Sequence, residues 1–329
     1  MNHQGMYHGG TPAFLEDYLE LPELRRLRDV GMNCGCEYTS LTRFKGLKPY
    51  SRYDHSLGVA LIVWHFTGDK AQTLAGLLHD VATPVFAHVV DFMYGDYLRQ
   101  ETTEAGTKGT IVRSSRLLEL LTRDGLTVKR VCDYHRYPIA DNDLPRLCAD
   151  RLEYTLGNAI NFGFCTEEEA AGIYSDLRVG RDEDGRPELA FAHMDDAAAF
   201  ADIALQCAMV YVSDEDRYAM QRLSEVLKSA LERRVIREND LYTTEPEVIS
   251  RLLADERAAA DWNAFWALSR VTRSSRPVDG EGWRKIPAKK RYIDPLVLDK
   301  GRVSQRISTF RQRLDAFRSV TQDYWVLGE

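Results

Sequence analysis

Apolar residues recur at helical spacing through most of the chain, and this period confines it to packed helices more firmly than any single motif does. In the first half the pattern covers Phe14 to Val30, Leu57 to Phe66, Ala71 to His79, Val112 to Thr122, Val128 to Tyr134 and Leu144 to Ile160. The separators carry turn chemistry: Thr67-Gly68-Asp69, Thr83-Pro84 and Asp141-Asn142-Asp143, where an Asp or Asn side chain can accept from the orphan N–H groups of a first helical turn. One stretch breaks the period. Leu177-Arg178-Val179 and Leu189-Ala190-Phe191-Ala192 flank an Asp-Gly turn, which predicts a β-hairpin near 177–193. Helical spacing resumes over Asp195 to Val212 and Arg217 to Ile236, and Pro246 to Leu253 with Ala258 to Leu268 predicts a C-terminal helical lobe. Arg270 to Arg291 reads as an exposed loop and Gln305 to Val320 as a last helix. The expected fold class is all-α, with an N-terminal arm (1–23), a core with the hairpin inserted (24–240) and a C-terminal lobe and tail (241–329).

With 329 residues, 44% of them hydrophobic, the chain can bury a large core. Its net charge of −7, from 43 basic and 50 acidic residues, supplies no basic field for a nucleic-acid backbone or an anionic bilayer. The longest apolar run, Leu57 to Phe66, is interrupted by Gly58 and His65 and falls short of the roughly 20 apolar residues of a membrane helix. The polar, glycine-rich stretch Met1 to Thr11 lacks the regions of a secretory signal, so a cytoplasmic location is expected. The six irregularly spaced cysteines then read as reduced thiols. Cys34-Gly35-Cys36 has one residue between its sulfurs, unlike a zinc knuckle.

The chemistry concentrates at helix ends. His79-Asp80 closes an apolar helix, His55 opens another, and Asp150 stands early in a third, beside Leu147 and Leu152, where an unpaired carboxylate would be costly to bury. Two imidazoles and two carboxylates form a mixed nitrogen and oxygen shell for one divalent transition ion (Mn, Fe, Zn, Mg, Ni or Co), with positions left for water and a phosphate oxygen. Taken singly, each of these residues is more often a satisfied core or capping group than a ligand. Their order carries the signal.

Arg52-Tyr53-Asp54-His55-Ser56-Leu57-Gly58-Val59, His79-Asp80, Pro84-Val85-Phe86-Ala87-His88 and Asp150-Arg151-Leu152-Glu153-Tyr154, in that sequence, resemble the HD-domain metal-dependent phosphohydrolases, nearest the deoxynucleoside triphosphate triphosphohydrolases. The resemblance covers about residues 24–215 and implies an HD-domain helical bundle with a small β-ribbon. By it, His55, His79, Asp80 and Asp150 resemble the metal ligands. His88 and Asp91 resemble the loop residues beside the scissile phosphate, with His88 a proton donor oriented by Asp91, and Arg52, Arg151 and Tyr154 resemble phosphate and sugar contacts. The implied reaction is hydrolysis of a phosphoester or phosphoanhydride of a nucleotide, with a deoxynucleoside triphosphate as the nearest branch's substrate. A nucleoside monophosphatase and a non-catalytic nucleotide sensor are the alternatives. Thr83 stands where the triphosphohydrolases carry a second loop histidine, the proline comes one position early, and Val30 to Cys34 holds no glutamine near the sugar position.

Glu101 and Glu104 follow the His88 loop, and Glu104 is a candidate carboxylate for a water or a second ion, against a solvated-surface reading. His135, among aromatic residues, is read as lining the pocket or capping its helix. His65 lies about three helical turns from His55, roughly 15 Å, and is read as structural. Lys289-Lys290-Arg291 reads first as a solvated run, and otherwise as a contact to another subunit or an anionic effector. The expected partner is a small nucleotide or phosphoester rather than a membrane or nucleic acid, and the resemblance is compatible with a homo-oligomer.

Overall fold

In the computed structural model, residues 4–95, 106–276 and 282–329 are described, and helices dominate. Two adjacent helices form the centre, and their ends are set by local chemistry. α1 (Arg52–Thr67) starts at Ser51, whose hydroxyl accepts from Asp54 N while the Asp54 carboxylate accepts from Ser51 N, a reciprocal cap. It stops at Gly68, which is left-handed, and Asp69 then accepts from Ala71 N and Gln72 N to open α2 (Lys70–Leu78). His79 and Asp80 therefore emerge just past the last helical residue of α2.

After α3 (Val89–Met93), α4 (Thr107–Arg113) and α5 (Ser115–Arg123) comes α6 (Ala149–Asn161), which packs on α1. α6 begins later than the periodicity predicts, because Leu144 to Cys148 is a turn and Cys148 is an N-cap without a side-chain bond. Asp141-Asn142-Asp143 does not cap it; Asp141 and Asn142 bond the side chain of Arg151 instead. Phe14 to Val30 is likewise not one helix but a chain of single turns, Glu16–Leu19 and Pro22–Arg25 among them, since Leu21 is extended before Pro22.

α7 (Glu167–Ser175) leads into the hairpin of β1 (Leu177–Arg181) and β2 (Pro187–Phe191), registered Leu177 to Phe191. α8 (Met194–Tyr211), α9 (Asp214–Glu232), α10 (Glu245–Leu253) and α11 (Glu256–Trp266) follow. The tail adds β3 (Val271–Ser274), β4 (Leu296–Val297), β5 (Gly301–Arg302), α12 (Ser308–Ser319) and β6 (Trp325–Gly328). β4 pairs parallel to β2 and β5 pairs with β4, so the hairpin grows to four strands, while β3 and β6 form a separate antiparallel pair. The predicted hairpin is present, and its added partners are two-residue strands, too short to show an alternating pattern. The 270–291 segment is not simply a loop either, since it holds β3 and buries Ile286. The predicted last helix is displaced as well: Val303–Arg306 is a separate turn, and α12 begins at Ser308.

The buried apolar residues form two clusters. One is built on α1, α2, α5, α6, α8 and α12. The other joins residues 34–44 and 85–92 to α9, α10 and α11. Among the described residues no single helix is long and apolar enough to cross a membrane. Glu101 and Glu104 lie outside the described residues.

Candidate active site

A cavity of about 670 Å³ is lined from both clusters, by Arg52, His55, His79, Asp80, His88, Asp150, Arg151 and Tyr154 among others. The four residues expected to hold a metal converge there. His55 Nε2 lies 3.0 Å from Asp150 Oδ1 and 3.2 Å from His79 Nε2, and His79 Nε2 is 3.6 Å from both Asp80 Oδ2 and Asp150 Oδ1.

The protons on these rings follow from their other bonds. Nδ1–H of His79 donates to Gly76 O at 2.7 Å, and Nδ1–H of His55 donates to Glu153 Oε2 at 2.5 Å. The two Nε2 atoms therefore face each other, that of His55 turned also toward Asp150 and that of His79 toward both Asp80 and Asp150. Four potential ligand atoms are thus linked by contacts of 3.0 to 3.6 Å, three of the four residues buried below a tenth of their surface, where a shared cation would offset the cost of burying them. Ligand atoms that sit about 2.0–2.2 Å from a common ion are separated by such distances. The donor set fits a divalent metal. When only protons are available, the carboxylates of Asp150 and Glu153 outweigh the burial of His55 and hold its imidazole up to about 10. For Asp80, burial alone would raise the pKa, but Arg52, His79 and His55 drive it well below the usual carboxylate range. The His55 imidazole likewise holds Asp150 down to about 2 against its burial.

Glu153, absent from the sequence-based site, completes the centre. It lies three residues after Asp150 on the same face of α6, a spacing that was there to be read. Its Oε2 also accepts from Tyr50 OH at 2.5 Å. Gly58 makes the approach feasible, since a Cβ there would lie 2.6 Å from Glu153 Cγ. A carboxylate behind a metal-binding histidine fixes the ring and its tautomer.

Around this centre, Arg52 Nη1 donates to Asp80 Oδ2 at 2.9 Å, and its Nε is buried with no hydrogen-bond partner. His88 Nδ1–H donates to Asp91 Oδ2 at 2.9 Å, and Asp91 is fully buried. Burial outweighs that carboxylate and leaves His88 below its ordinary value, so the free ring is neutral at pH 7 with Nε2 as an acceptor. Thr83 Oγ1 donates to Asp80 Oδ1 at 2.8 Å and serves as a prop for that carboxylate.

The remaining candidates divide. Tyr154 lines the cavity with its ring 6.5 Å from that of His55. Arg151 lines it too, but its guanidinium is engaged with Asp141, the Arg146 carbonyl and Asn142. His135 stands at the rim, its Nδ1–H donating to Asp141 Oδ2 at 2.5 Å. Lys289 and Arg291, expected first as part of a solvated run, line the cavity instead, because the tail crosses it after Ile286 is buried. His65 packs against Phe66 and Tyr174, away from the site. All six cysteines are free thiols. Sequence reasoning missed the far wall of Phe44, Phe162, Tyr211 and Asp216. Asp216 is pushed up to about 7 by burial, against Arg291, Arg217 and Arg43. Nothing short-range marks these positions, which come from separate segments of the chain.

No protein-family profile matches the chain. It is 29% identical over 298 residues to the uncharacterized protein YdhJ of Bacillus subtilis, covering 89% of this chain and 86% of that protein. It is 26% identical over 296 residues to the metal-dependent phosphohydrolase cns2 of Cordyceps militaris, covering 87% and 81%. Two solved structures share its fold. A hypothetical protein from Aquifex aeolicus superposes with a TM-score of 0.64 at 17% identity, over 97% of this chain and 93% of that one. A phosphohydrolase from Bacteroides thetaiotaomicron superposes with a TM-score of 0.62 at 15% identity, over 97% and 96%.

Proposed function

We propose that the protein is an HD-type metal-dependent phosphohydrolase that cleaves a phosphoester or phosphoanhydride of a nucleotide. The observation that carries this reading is the convergence of two imidazole Nε2 atoms and two carboxylates at a cavity that also holds Arg52 and His88. The sequence likeness to a metal-dependent phosphohydrolase supports it. His55, His79, Asp80 and Asp150 would hold a divalent ion, which when bound polarises a phosphate oxygen and acidifies water.

The chain's own groups supply the rest. Arg52, held at Nη1 by Asp80, lines the cavity and brings its guanidinium charge to an anionic phosphate. Asp91 fixes the His88 ring so that Nε2 is the nitrogen left for the substrate. A phosphate dianion beside that ring raises its affinity for a proton, and His88 then delivers the proton to the leaving oxygen. Phe44, Tyr154, Phe162 and Tyr211 give the cavity aromatic walls, and its volume leaves space beyond the phosphate for a sugar and a flat base.

Thr83 favours a second reading within the same chemistry. Where the triphosphohydrolases carry a histidine, this hydroxyl is bound to Asp80 and cannot serve as an acid at neutral pH. That favours a nucleoside monophosphate over a triphosphate. Phosphorus NMR on a mixed pool of nucleoside mono- and triphosphates with Mn²⁺ tests both readings. Orthophosphate from the monophosphates, absent with His79→Ala, supports a monophosphatase, and tripolyphosphate supports the triphosphohydrolase. No product from any nucleotide overturns the reading.

A further inference from the structure

Two loops on the cavity hold backbone in the left-handed region that side chains disfavour: Cys34 and Gly35 (φ 53° and 80°) in one, Phe86 and Ala87 (φ 57° and 45°) in the other, just before His88. Met32, Asn33 and Cys34 of the first loop and Thr83 and His88 of the second line the cavity. Such conformations persist when the surroundings over-determine them. Both loops meet one side chain from the C-terminal lobe. Glu245, at the start of α10 and only 2% exposed, accepts from Gly31 N at 2.9 Å and from Phe86 N at 3.2 Å through the same oxygen, Oε1. Its other oxygen accepts from Tyr38 OH at 2.7 Å. A second tether from the same region, Val85 N to Leu241 O at 2.7 Å, holds the second loop one residue earlier.

A buried carboxylate is costly, and this one lies beside another. Glu37 packs against Gly31 so closely that a Cβ on Gly31 would sit 2.1 Å from Glu37 Oε1, with Glu245 Oε2 at 3.6 Å. Burial raises both carboxyls, and the neighbouring Glu245 adds to it at Glu37, which is pushed up to about 8. Glu37 therefore holds a proton at neutral pH, and the amides of Gly31 and Phe86, Tyr38 and Arg52 favour the charge on Glu245. A hydrophobic residue at the head of α10 would hold the lobe equally well. A carboxylate that collects two amides from two strained loops has a more specific consequence.

We infer that Glu245 is a positioning residue, a clasp that holds both cavity loops and thereby sets the place of His88. The role of His88 in this statement rests on the proposed phosphohydrolase reading; the clasp itself does not.

The test compares Glu245→Ala and Glu245→Gln with the native full-length chain. Amide hydrogen exchange is followed at Gly31 and Phe86 in the metal-free protein, and Mn²⁺ stoichiometry and p-nitrophenyl phosphate hydrolysis in the loaded one. In Glu245→Ala, both amides are expected to exchange at least tenfold faster, with Mn²⁺ stoichiometry unchanged, kcat down at least tenfold and KM within about twofold. Glu245→Gln keeps an acceptor oxygen and restores most of the protection and of kcat. If Glu245→Ala does not fold, Glu245→Asp carries the same expectation, since its carboxylate is one methylene too short to reach both amides. Unchanged exchange, faster exchange in one loop only, or loss of protection throughout α10 and α11 that Glu245→Gln fails to restore would overturn the clasp. If the native protein hydrolyses no phosphoester, the phosphohydrolase reading falls while the exchange data still decide the clasp.

Discussion

The two sides of the cavity are held by different means. His55, His79 with Asp80, and Asp150 sit at the ends of α1, α2 and α6, helices whose turns or caps are formed mostly by residues a few positions away. The 31–36 and 83–88 loops lie outside regular helices, and their backbone is tied to Leu241 and Glu245, about 160 to 210 residues distant. A ligand set built on helices is rigid by local construction. A wall built on loops is only as well placed as the residues that grip it. Binding and catalysis should therefore separate: changes on the helix side remove the ion, and changes on the loop side leave it and slow the reaction.

The sharpest way to break this comparison is Asp80→Ala. It removes one ligand, leaves Arg52 without its buried carboxylate and strands Thr83 Oγ1. Metal-dependent activity should vanish, and the apo-protein should lose about 3–5 kcal/mol in urea unfolding, the cost of breaking a buried pair from one side. Next in size is His88→Gln on the loop side, with kcat expected to fall by about 10²–10⁴ as for loss of a general acid. Bound metal should be unchanged when measured by elemental analysis. Glu153→Gln sharpens the helix side: His55 loses its carboxylate partner, and Mn²⁺ affinity should drop by roughly 10- to 100-fold in a calorimetric titration.

The smallest effect concerns the buried acid pair. In the unfolded chain Glu37 ionises near its ordinary 4.5, whereas in the folded protein its carboxyl is held up to about 8. Folding therefore favours the protonated form, and the contribution of Glu37 to stability falls as pH rises across that window. Glu37→Gln, which carries a neutral group throughout, should raise the melting temperature relative to the native protein more at pH 9 than at pH 5. An equal shift at both values would show that Glu37 does not take up a proton on folding.

The same division explains what the amino-acid sequence disclosed. The His55, His79, Asp80 and Asp150 positions were legible because each lies in a short motif on a helix with strong periodicity, and even Glu153 could have been found from its spacing. The Gly68-Asp69 boundary was equally local. Other boundaries were not. Phe14 to Val30 shows apolar spacing, yet Pro22 and its extended neighbour divide it, and Asp141 and Asn142, which look like caps, serve the side chain of Arg151. β4 and β5 are too short for an alternating pattern to show. Asp216 lines the cavity and Glu245 holds its loops only through the packing of α9 and α10, and no local pattern marks either; the basic run at Arg291 was visible, but not that the tail brings it to the cavity.

The most direct test of the four-donor centre is calorimetric titration of Mn²⁺ into the metal-free protein at pH 7, beside His79→Ala. Two imidazole Nε2 atoms converging with two carboxylates predict one saturable site per chain in the native protein, with a proton released as the ion replaces the one held on His55, and no such site in the variant. Absence of saturable binding to the native chain, or equal binding to both proteins, would contradict it.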